Sequence, residues 1–274
     1  MSAVMEEVAA LMREVSAREI LPRFRLLKDG DVEEKSKGDF VTVADRNAEL
    51  WLTPRLEKLV PGSRVLGEEA AAAEPALLTL LDSDAPLWTV DPVDGTGNFV
   101  AGRETFGVMI ALVEAGEVRG AWIYLPVSGE LATAEQGAGA FWQSAGGSRR
   151  LQAGHSPDDA DKISGAFNVR FMDEDWRDRV ELFADRVPRK SSYLCSAYDY
   201  TGLARGEIDL VTYHRMLPWD HAPGSLILRE AGGVLRNMAS GTDYKPRMLA
   251  GPHLAARNED SWRRFAGAIR SEKA

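Results

Sequence analysis

Residues 87–99 read LWTVDPVDGTGNF, four mostly apolar residues followed at once by an acidic turn. The composition of residues 87–90 predicts a short buried strand. Asp91 and Asp94 stand three residues apart in the turn, so both carboxylates can point into one small volume, with the carbonyl of Val93 as a third hard oxygen. Mg²⁺ prefers octahedral oxygen ligation by a few carboxylates, water and substrate phosphate. The segment is consistent with a magnesium site, and an ordinary acidic turn is the alternative for this motif taken alone.

A second acidic pair follows a second predicted strand. Residues 64–66 are predicted to form a short buried strand, and Glu68 and Glu69 come shortly after it. The two strands therefore deliver carboxylates from their C-terminal ends. Two roles are open for Glu69: it either contacts the metal ligands and supports them, or is simply a solvated neighbour of Glu68.

Thr42 and Asp45 have the spacing of a capping box, which predicts a helix that runs to residue 59. Pro54 is predicted either to bend this helix or to mark its end. Lys35 and Lys37 precede the helix in a predicted basic loop, where they either attract an anionic substrate or are simply solvated.

Composition and charge exclude several classes of protein. The chain has 33 basic and 42 acidic residues and a net charge of −9, which argues against a nonspecific nucleic-acid binder. The uncharged stretch 136–148 is Gly- and Ser-rich and is too short for a membrane span. Charges interrupt any apolar signal-peptide core at the start, so a cytoplasmic location is expected. With one cysteine and four histidines, no zinc-type Cys/His site can be built, and any metal should prefer oxygen ligands.

The order of predicted elements indicates two parts. An amphipathic helix is predicted from residue 4, and apolar runs at 106–113, 118–125 and 131–134 predict an antiparallel meander. Residues 144–161 lack periodicity, so we place a domain boundary near Leu151, between an N-terminal α+β domain (1–150) and a C-terminal α/β domain (151–274). The second part alternates predicted strands and helices, which favours α/β layering. These strands are 163–167 and 208–213, and the helices are 173–183, 197–204 and 220–231.

Four sequence blocks together resemble the inositol monophosphatase family of Mg²⁺-dependent phosphomonoesterases. They are DFVTVAD at 39–45, GEE at 67–69, DPVDGTGNF at 91–99, and WDHAPG at 219–224 followed by EAGG at 230–233. The resemblance covers roughly residues 35–235 and rests on the order and spacing of the blocks. It implies a layered αβαβα sandwich, an α/β (α+β) fold, and a homodimer.

The resemblance also implies a set of metal ligands and catalytic residues. Two or three Mg²⁺ ions, for which Mn²⁺ can substitute, would hold a phosphate monoester and lower the pKa of the attacking water. The implied metal ligands are Glu68, Asp91, the Val93 carbonyl, Asp94 and Asp220. Asp45 and Thr96 would orient the water and help to deprotonate it, and Glu68 is also a catalytic residue in this scheme. The backbone N–H groups of Gly95 and Thr96 would bind the phosphate.

Some residues in or near these blocks have a plainer interpretation. Asp220 stands where a helix is predicted to begin, so the alternative to metal ligation is a role as the N-cap of that helix. Trp219 and Phe99 are expected to wall off the site by packing, and Cys195 is expected to have no chemical role.

The alcohol side departs from the family pattern. Inositol-hydrolysing members carry a Glu seven residues before the aspartate of the Trp-Asp pair, where this chain has Tyr213 followed by His214. Ser196, Tyr213 and His214 are therefore the candidates for contacting the alcohol part of a small phosphorylated metabolite. Inositol 1-phosphate, histidinol phosphate, a sugar bisphosphate and a 3′-phosphoadenosine-type nucleotide remain open as substrates. A regulatory binding protein that keeps the fold is the alternative from another class.

Overall fold

The computed structural model describes residues 3–36, 38–191 and 193–272, with only the backbone described at Asp39 and Ser191. The strands are β1 (Val32–Ser36), β2 (Asp39–Thr42), β3 (Arg64–Gly67), β4 (Leu87–Asp94), β5 (Gly107–Glu114), β6 (Glu117–Leu125), β7 (Glu130–Glu135), β8 (Gly139–Ser144), β9 (Gly147–Arg150), β10 (Ser164–Phe167), β11 (Arg189–Ser191), β12 (Leu210–Arg215), β13 (Val234–Asn237) and β14 (Ala250–Ala256). The α-helices are α1 (Ala3–Val15), α2 (Val43–Leu59), α3 (Glu68–Ala73), α4 (Thr96–Val100), α5 (Glu174–Ala184), α6 (Ser196–Arg205), α7 (Pro218–Glu230) and α8 (Glu259–Ser271).

A seven-stranded sheet has the order β3-β4-β5-β6-β7-β8-β9. β3 and β4 are parallel neighbours, with Gly67 opposite Val90, and the other pairs are antiparallel. The predicted strands and meander are confirmed, but β4 continues through Asp94, so Asp91 and Asp94 lie in the strand and not in a turn after it. Because parallel strands end at the same edge of a sheet, the residues that follow β3 lie beside the C-terminal part of β4.

A five-stranded sheet has the order β11-β10-β12-β14-β13. β10 is parallel to β11 and β12, and β14 runs antiparallel to β12 and β13. The alternation predicted for the second part is confirmed by β10, α5, α6, β12 and α7. β13, β14 and α8 lie beyond the last predicted element and complete the sheet and its outer layer.

The elements stack in five layers. Met12 of α1 and Leu52 of α2 pack with Trp88 of β4 on the outer face of the seven-stranded sheet. α6 and α7 lie between the two sheets, where Tyr200 and Leu226 join one core with residues of both. α5 and α8 cover the outer face of the five-stranded sheet. The predicted αβαβα sandwich is confirmed, whereas the domain boundary near Leu151 stays a prediction.

Local predictions near the site have mixed outcomes. The capping box is confirmed, because the Thr42 side chain accepts from Ala44 N and the Asp45 side chain accepts from Thr42 N. α2 continues through Pro54 to Leu59, so Pro54 does not end the helix.

Asp220 is not an N-cap, because α7 begins two residues earlier at Pro218 with Leu217 as the N-cap. Proline is favoured at the first helical position, where no intrahelical N–H is needed. Among the described residues, no helix combines the length and apolar character that crossing a membrane requires.

Candidate active site

Three carboxylates meet where the seven-stranded sheet faces α7. Glu68 is the first residue of α3 and follows β3 directly, Asp91 lies in β4, and Asp220 lies in the first turn of α7. Their carboxylate oxygens lie within 4.8 Å of one another. The fold therefore brings together side chains that are distant in sequence and leaves them close enough to share one cation.

Asp94 borders this trio and is held by the start of α6. Asp94 Oδ2 accepts hydrogen bonds from Ala197 N at 2.6 Å and from Cys195 Sγ at 2.8 Å. Gly95 has a φ of +85°, and a Cβ there would lie 3.0 Å from the Thr105 carbonyl oxygen, so only glycine fits the turn. Cys195, for which no chemical role is predicted from the sequence, thus helps to orient a predicted metal ligand.

Asp45 and Thr96 lie side by side. Thr96 Oγ1 is 3.0 Å from the Val93 carbonyl oxygen and 3.3 Å from Asp45 Oδ1. Asp45 Oδ2 is engaged by the capping box, with Thr42 N at 2.9 Å. Burial raises the pKa of Asp45 to about 7, and the hydrogen bond from the Thr42 side chain opposes the rise.

The acidic cluster is electrostatically unfavourable without a cation. Burial, then the neighbouring charge of Glu68, raises the pKa of Asp91 and of Asp220 well above the usual range of an aspartate. Burial also raises the pKa of Asp94 to about 6, opposed by the hydrogen bond from Ala197 N. Hard oxygen donors that repel one another in a buried site match the chemistry of a divalent cation such as Mg²⁺.

Glu49 positions Glu68 and is not predicted from the sequence. Its carboxylate accepts from Glu69 N at 2.9 Å and from Ala70 N at 2.8 Å, so it holds the first turn of α3. A Cβ on Gly67 would lie 2.2 Å from Glu49 Cδ, so this contact requires glycine. Glu49 carries no sequence signal, because it is one of several charged residues in α2.

Lys35 bridges the two glutamates that follow β3. Its Nζ lies 2.9 Å from Glu68 Oε1 and 3.1 Å from Glu69 Oε1, and its side chain is 19% exposed. Lys35 belongs to β1, so the prediction of a solvated loop is wrong at this position; Lys37 lies outside the described residues. Glu69 is likewise no freely solvated neighbour of Glu68.

The cluster opens into a cavity of about 660 Å³. Ser196, Tyr213 and His214, predicted to contact the alcohol, all line it, and so does Trp219. Phe99 is fully buried against Phe106 and lies behind the site. Further lining residues that were not predicted are Arg103, Asn168, Arg170, Phe171, Asp199 and Arg215.

Comparison with known proteins places the chain in a family. The sequence profile of the inositol monophosphatase family matches residues 2–272. The chain belongs to the inositol monophosphatase family. Its members are metal-dependent phosphoric monoester hydrolases, so the predicted class of enzyme is confirmed.

Individual relatives carry two kinds of name. The inositol-1-monophosphatase of Mesorhizobium japonicum is 32% identical over 263 residues, which cover 93% of this chain and 92% of the relative. A Vibrio cholerae protein named Nus factor SuhB is 31% identical over 219 residues, covering 77% and 76%. The crystal structure of the extragenic suppressor protein suhB from Bartonella henselae is 26% identical, with a TM-score of 0.81 and coverage of 99% and 100%.

The ring of Tyr213 is held by an aromatic network. Tyr213 stacks on Tyr200 with ring centroids 5.5 Å apart. Tyr200 Oη lies 2.9 Å from His221 Nδ1, and His221 Nε2 lies 2.9 Å from the Arg215 carbonyl oxygen. Burial lowers the pKa of His221 to about 3, so the ring is neutral and donates from one nitrogen only. These contacts set the orientation of the Tyr213 ring in the cavity wall.

Proposed function

We propose that the chain hydrolyses a small phosphate monoester with the help of two or three Mg²⁺ ions, for which Mn²⁺ can substitute. The observation that carries the proposal is the convergence of Glu68, Asp91 and Asp220 oxygens within 4.8 Å on the wall of a cavity large enough for a metabolite. The residues proposed to hold the ions are Glu68, Asp91, Val93 through its carbonyl, Asp94 and Asp220.

The chain's own groups would bind the phosphate and manage the proton of the attacking water. Bound divalent ions polarise phosphoryl oxygens and lower the pKa of water. Thr96 Oγ1 and the neighbouring Asp45 carboxylate, 3.3 Å apart, are proposed to hold the water in line with the ester bond. The buried Asp45 carboxylate, which lies 3.3 Å from Thr96 Oγ1, is proposed to accept the proton of this water. The N–H groups of Gly95 and Thr96 are proposed to bind the phosphate.

The alcohol part is proposed to face Ser196, Tyr213 and His214. The four substrates considered from the sequence differ chiefly in this part, so the cavity wall rather than the acidic cluster decides among them. The homodimer and the cytoplasmic location stay predictions.

A malachite-green assay of phosphate release tests the proposal. The substrates are inositol 1-phosphate, histidinol phosphate, fructose 1,6-bisphosphate and 3′-phosphoadenosine 5′-phosphate, each with Mg²⁺, Mn²⁺ or EDTA. We expect turnover of at least one ester with either metal and none in EDTA. Absence of turnover with both metals would contradict the proposal.

A variant pair makes the assay specific to the acidic cluster. Asp91→Asn should abolish turnover. Asp209→Asn removes another buried carboxylate, which pairs with Arg257 at 3.1 Å outside the cavity, and should retain turnover. A role confined to regulatory binding, as the name of some relatives suggests for those proteins, gives no reason to keep the acidic cluster.

A further inference from the structure

We infer that Asp199 selects the substrate by accepting a hydrogen bond from a hydroxyl or ammonium group on the leaving alcohol. The substrates are then phosphate esters of polyols or amino alcohols, and esters of plain alkyl or aryl alcohols are poor ones. The inference rests on the proposed function, whose site it completes on the alcohol side.

Asp199 is a buried carboxylate with one oxygen unused. It is the fourth residue of α6, 2% exposed, and it lines the cavity. Its Oδ2 lies 3.3 Å from Asn168 Nδ2 and 3.4 Å from Tyr213 Oη. Its Oδ1 is buried and has no hydrogen-bond partner among the residues that the structure describes. Buried acceptors are almost always paired, so an unpaired one in a residue that lines a cavity points to a ligand donor.

The charges around Asp199 favour a donor from the ligand. The charge that acts on it is the carboxylate of Asp94, which adds to the effect of burial in raising the pKa of Asp199 to about 7. Asn168 and Tyr213 are neutral and offset this only through long hydrogen bonds. A hydroxyl donor would satisfy Oδ1, and an ammonium donor would also bring a positive charge next to the carboxylate.

The position of Asp199 places this acceptor on the alcohol side. Ser196 stands three residues earlier on α6, one helical turn away, and also lines the cavity. The residues that hold Asp94 are Cys195 and Ala197, at the start of the same helix. Tyr213, which also lines the cavity, has its hydroxyl 3.4 Å from Asp199 Oδ2. The carboxylate on this side of the cavity is therefore supplied by α6.

Three esters of one carbon skeleton test the inference. They are isopropyl phosphate, which has no donor, glycerol 2-phosphate, which adds hydroxyls, and the phosphate ester of 1-amino-2-propanol, which adds an ammonium group. We expect kcat/KM with Mg²⁺ for at least one donor-bearing ester to exceed that for isopropyl phosphate by about 10- to 100-fold, as for a hydrogen bond to a buried charged group. The better of the two identifies the donor. Equal values for all three would overturn the inference.

Variants assign the preference to Asp199. Asp199→Ala should bring the ratio of kcat/KM for the donor-bearing ester to kcat/KM for the donor-free ester close to one. Asp199→Asn keeps the shape of the side chain and should lose the part of this preference that depends on charge. Asp209→Asn is the control for losing a buried carboxylate and should leave the ratio unchanged. A purely structural role would lower kcat/KM for all esters by one common factor, and that result would also overturn the inference.

Equilibrium binding separates this inference from the proposed function. If none of the three esters or the panel substrates is hydrolysed, the proposed function fails. Asp199 is then judged by calorimetric titration of the same three esters with Ca²⁺ in place of Mg²⁺. The same order of Kd values is expected for the wild-type chain, and equal Kd values would overturn the inference.

Discussion

Removing divalent cations should make the chain less stable as pH rises from about 5 to about 8. Asp45 and Asp94 have pKa values raised by burial to about 7 and about 6, above the unfolded value of 3.8. Between these values the folded chain binds more protons than the unfolded chain. The free energy of unfolding therefore falls with rising pH, and it is highest below the unfolded pKa.

The size of the effect is set by the pH interval between about pH 5 and the folded-state pKa of each group. Above about pH 5, each group lowers the free energy of unfolding by about 1.4 kcal/mol per pH unit until the pH reaches the pKa of that group in the folded chain. Asp94 contributes one such unit and Asp45 contributes two, so the two together cost about 4 kcal/mol. At about 2–4 °C per kcal/mol for a chain of this size, these two groups alone should lower Tm by roughly 10 °C. Asp91 and Asp220 act in the same direction.

Thermal unfolding followed by fluorescence across this pH range checks the prediction, in EDTA and in Mg²⁺. We expect a falling Tm in EDTA and a much flatter profile in Mg²⁺, because the cation neutralises the carboxylates. Asp91→Asn should raise Tm in EDTA at about pH 8 and lose the response to Mg²⁺, whereas Asp209→Asn should keep that response. A Tm that rises with pH in EDTA, or a Mg²⁺ effect equal at both ends of the range, would refute the reasoning.

Three substitutions extend these expectations to single contacts. Asp94→Asn should lower kcat by about 100-fold or more while leaving the circular dichroism spectrum unchanged, and near-normal activity would contradict its role as a ligand. Gly67→Ala drives a methyl group to 2.2 Å from Glu49 Cδ and should cost about 1–3 kcal/mol in urea unfolding, whereas Gly267→Ala, with open space around it, should not destabilise. Lys35→Ala should lower Tm in EDTA more than in Mg²⁺, because the Lys35 ammonium group neutralises Glu68 when no cation is bound. Equal decreases in Tm under the two conditions would contradict this role.

Helix limits show where reasoning from local pattern succeeds and where it fails. The helix after Thr42 is predictable because a capping box satisfies backbone donors with neighbouring side chains. The same helix passes Pro54, with Leu52 and Leu56 fully buried on either side, so tertiary packing outweighs the local cost of proline.

The supporting residues of the site show a second limit. Glu49 contacts the first turn of α3, and Asp199 contacts Asn168 in the cavity wall. No spacing of residues in the sequence predicts either contact. Asp199 does leave a trace, because it is the single charged residue in the predicted helix 197–204. A lone carboxylate in an otherwise uncharged helix is the feature that sequence reasoning overlooked.

The presence of the strands and of the acidic motifs was readable from the chain alone, since each depends on residues within a few positions of one another. The end of β4 was not, because pairing with β5 extends that strand to Asp94. Only the tertiary structure decided the meeting of Asp220 with Glu68 and Asp91 and the orientation of Asp94 by α6. It also decided that one oxygen of Asp199 is unpaired within the part of the chain that the structure describes. These features depend on how the two sheets enclose α6 and α7. Charge repulsion and hydrogen bonding act over a few ångströms, so they are determined by distances in space that the order of residues does not contain.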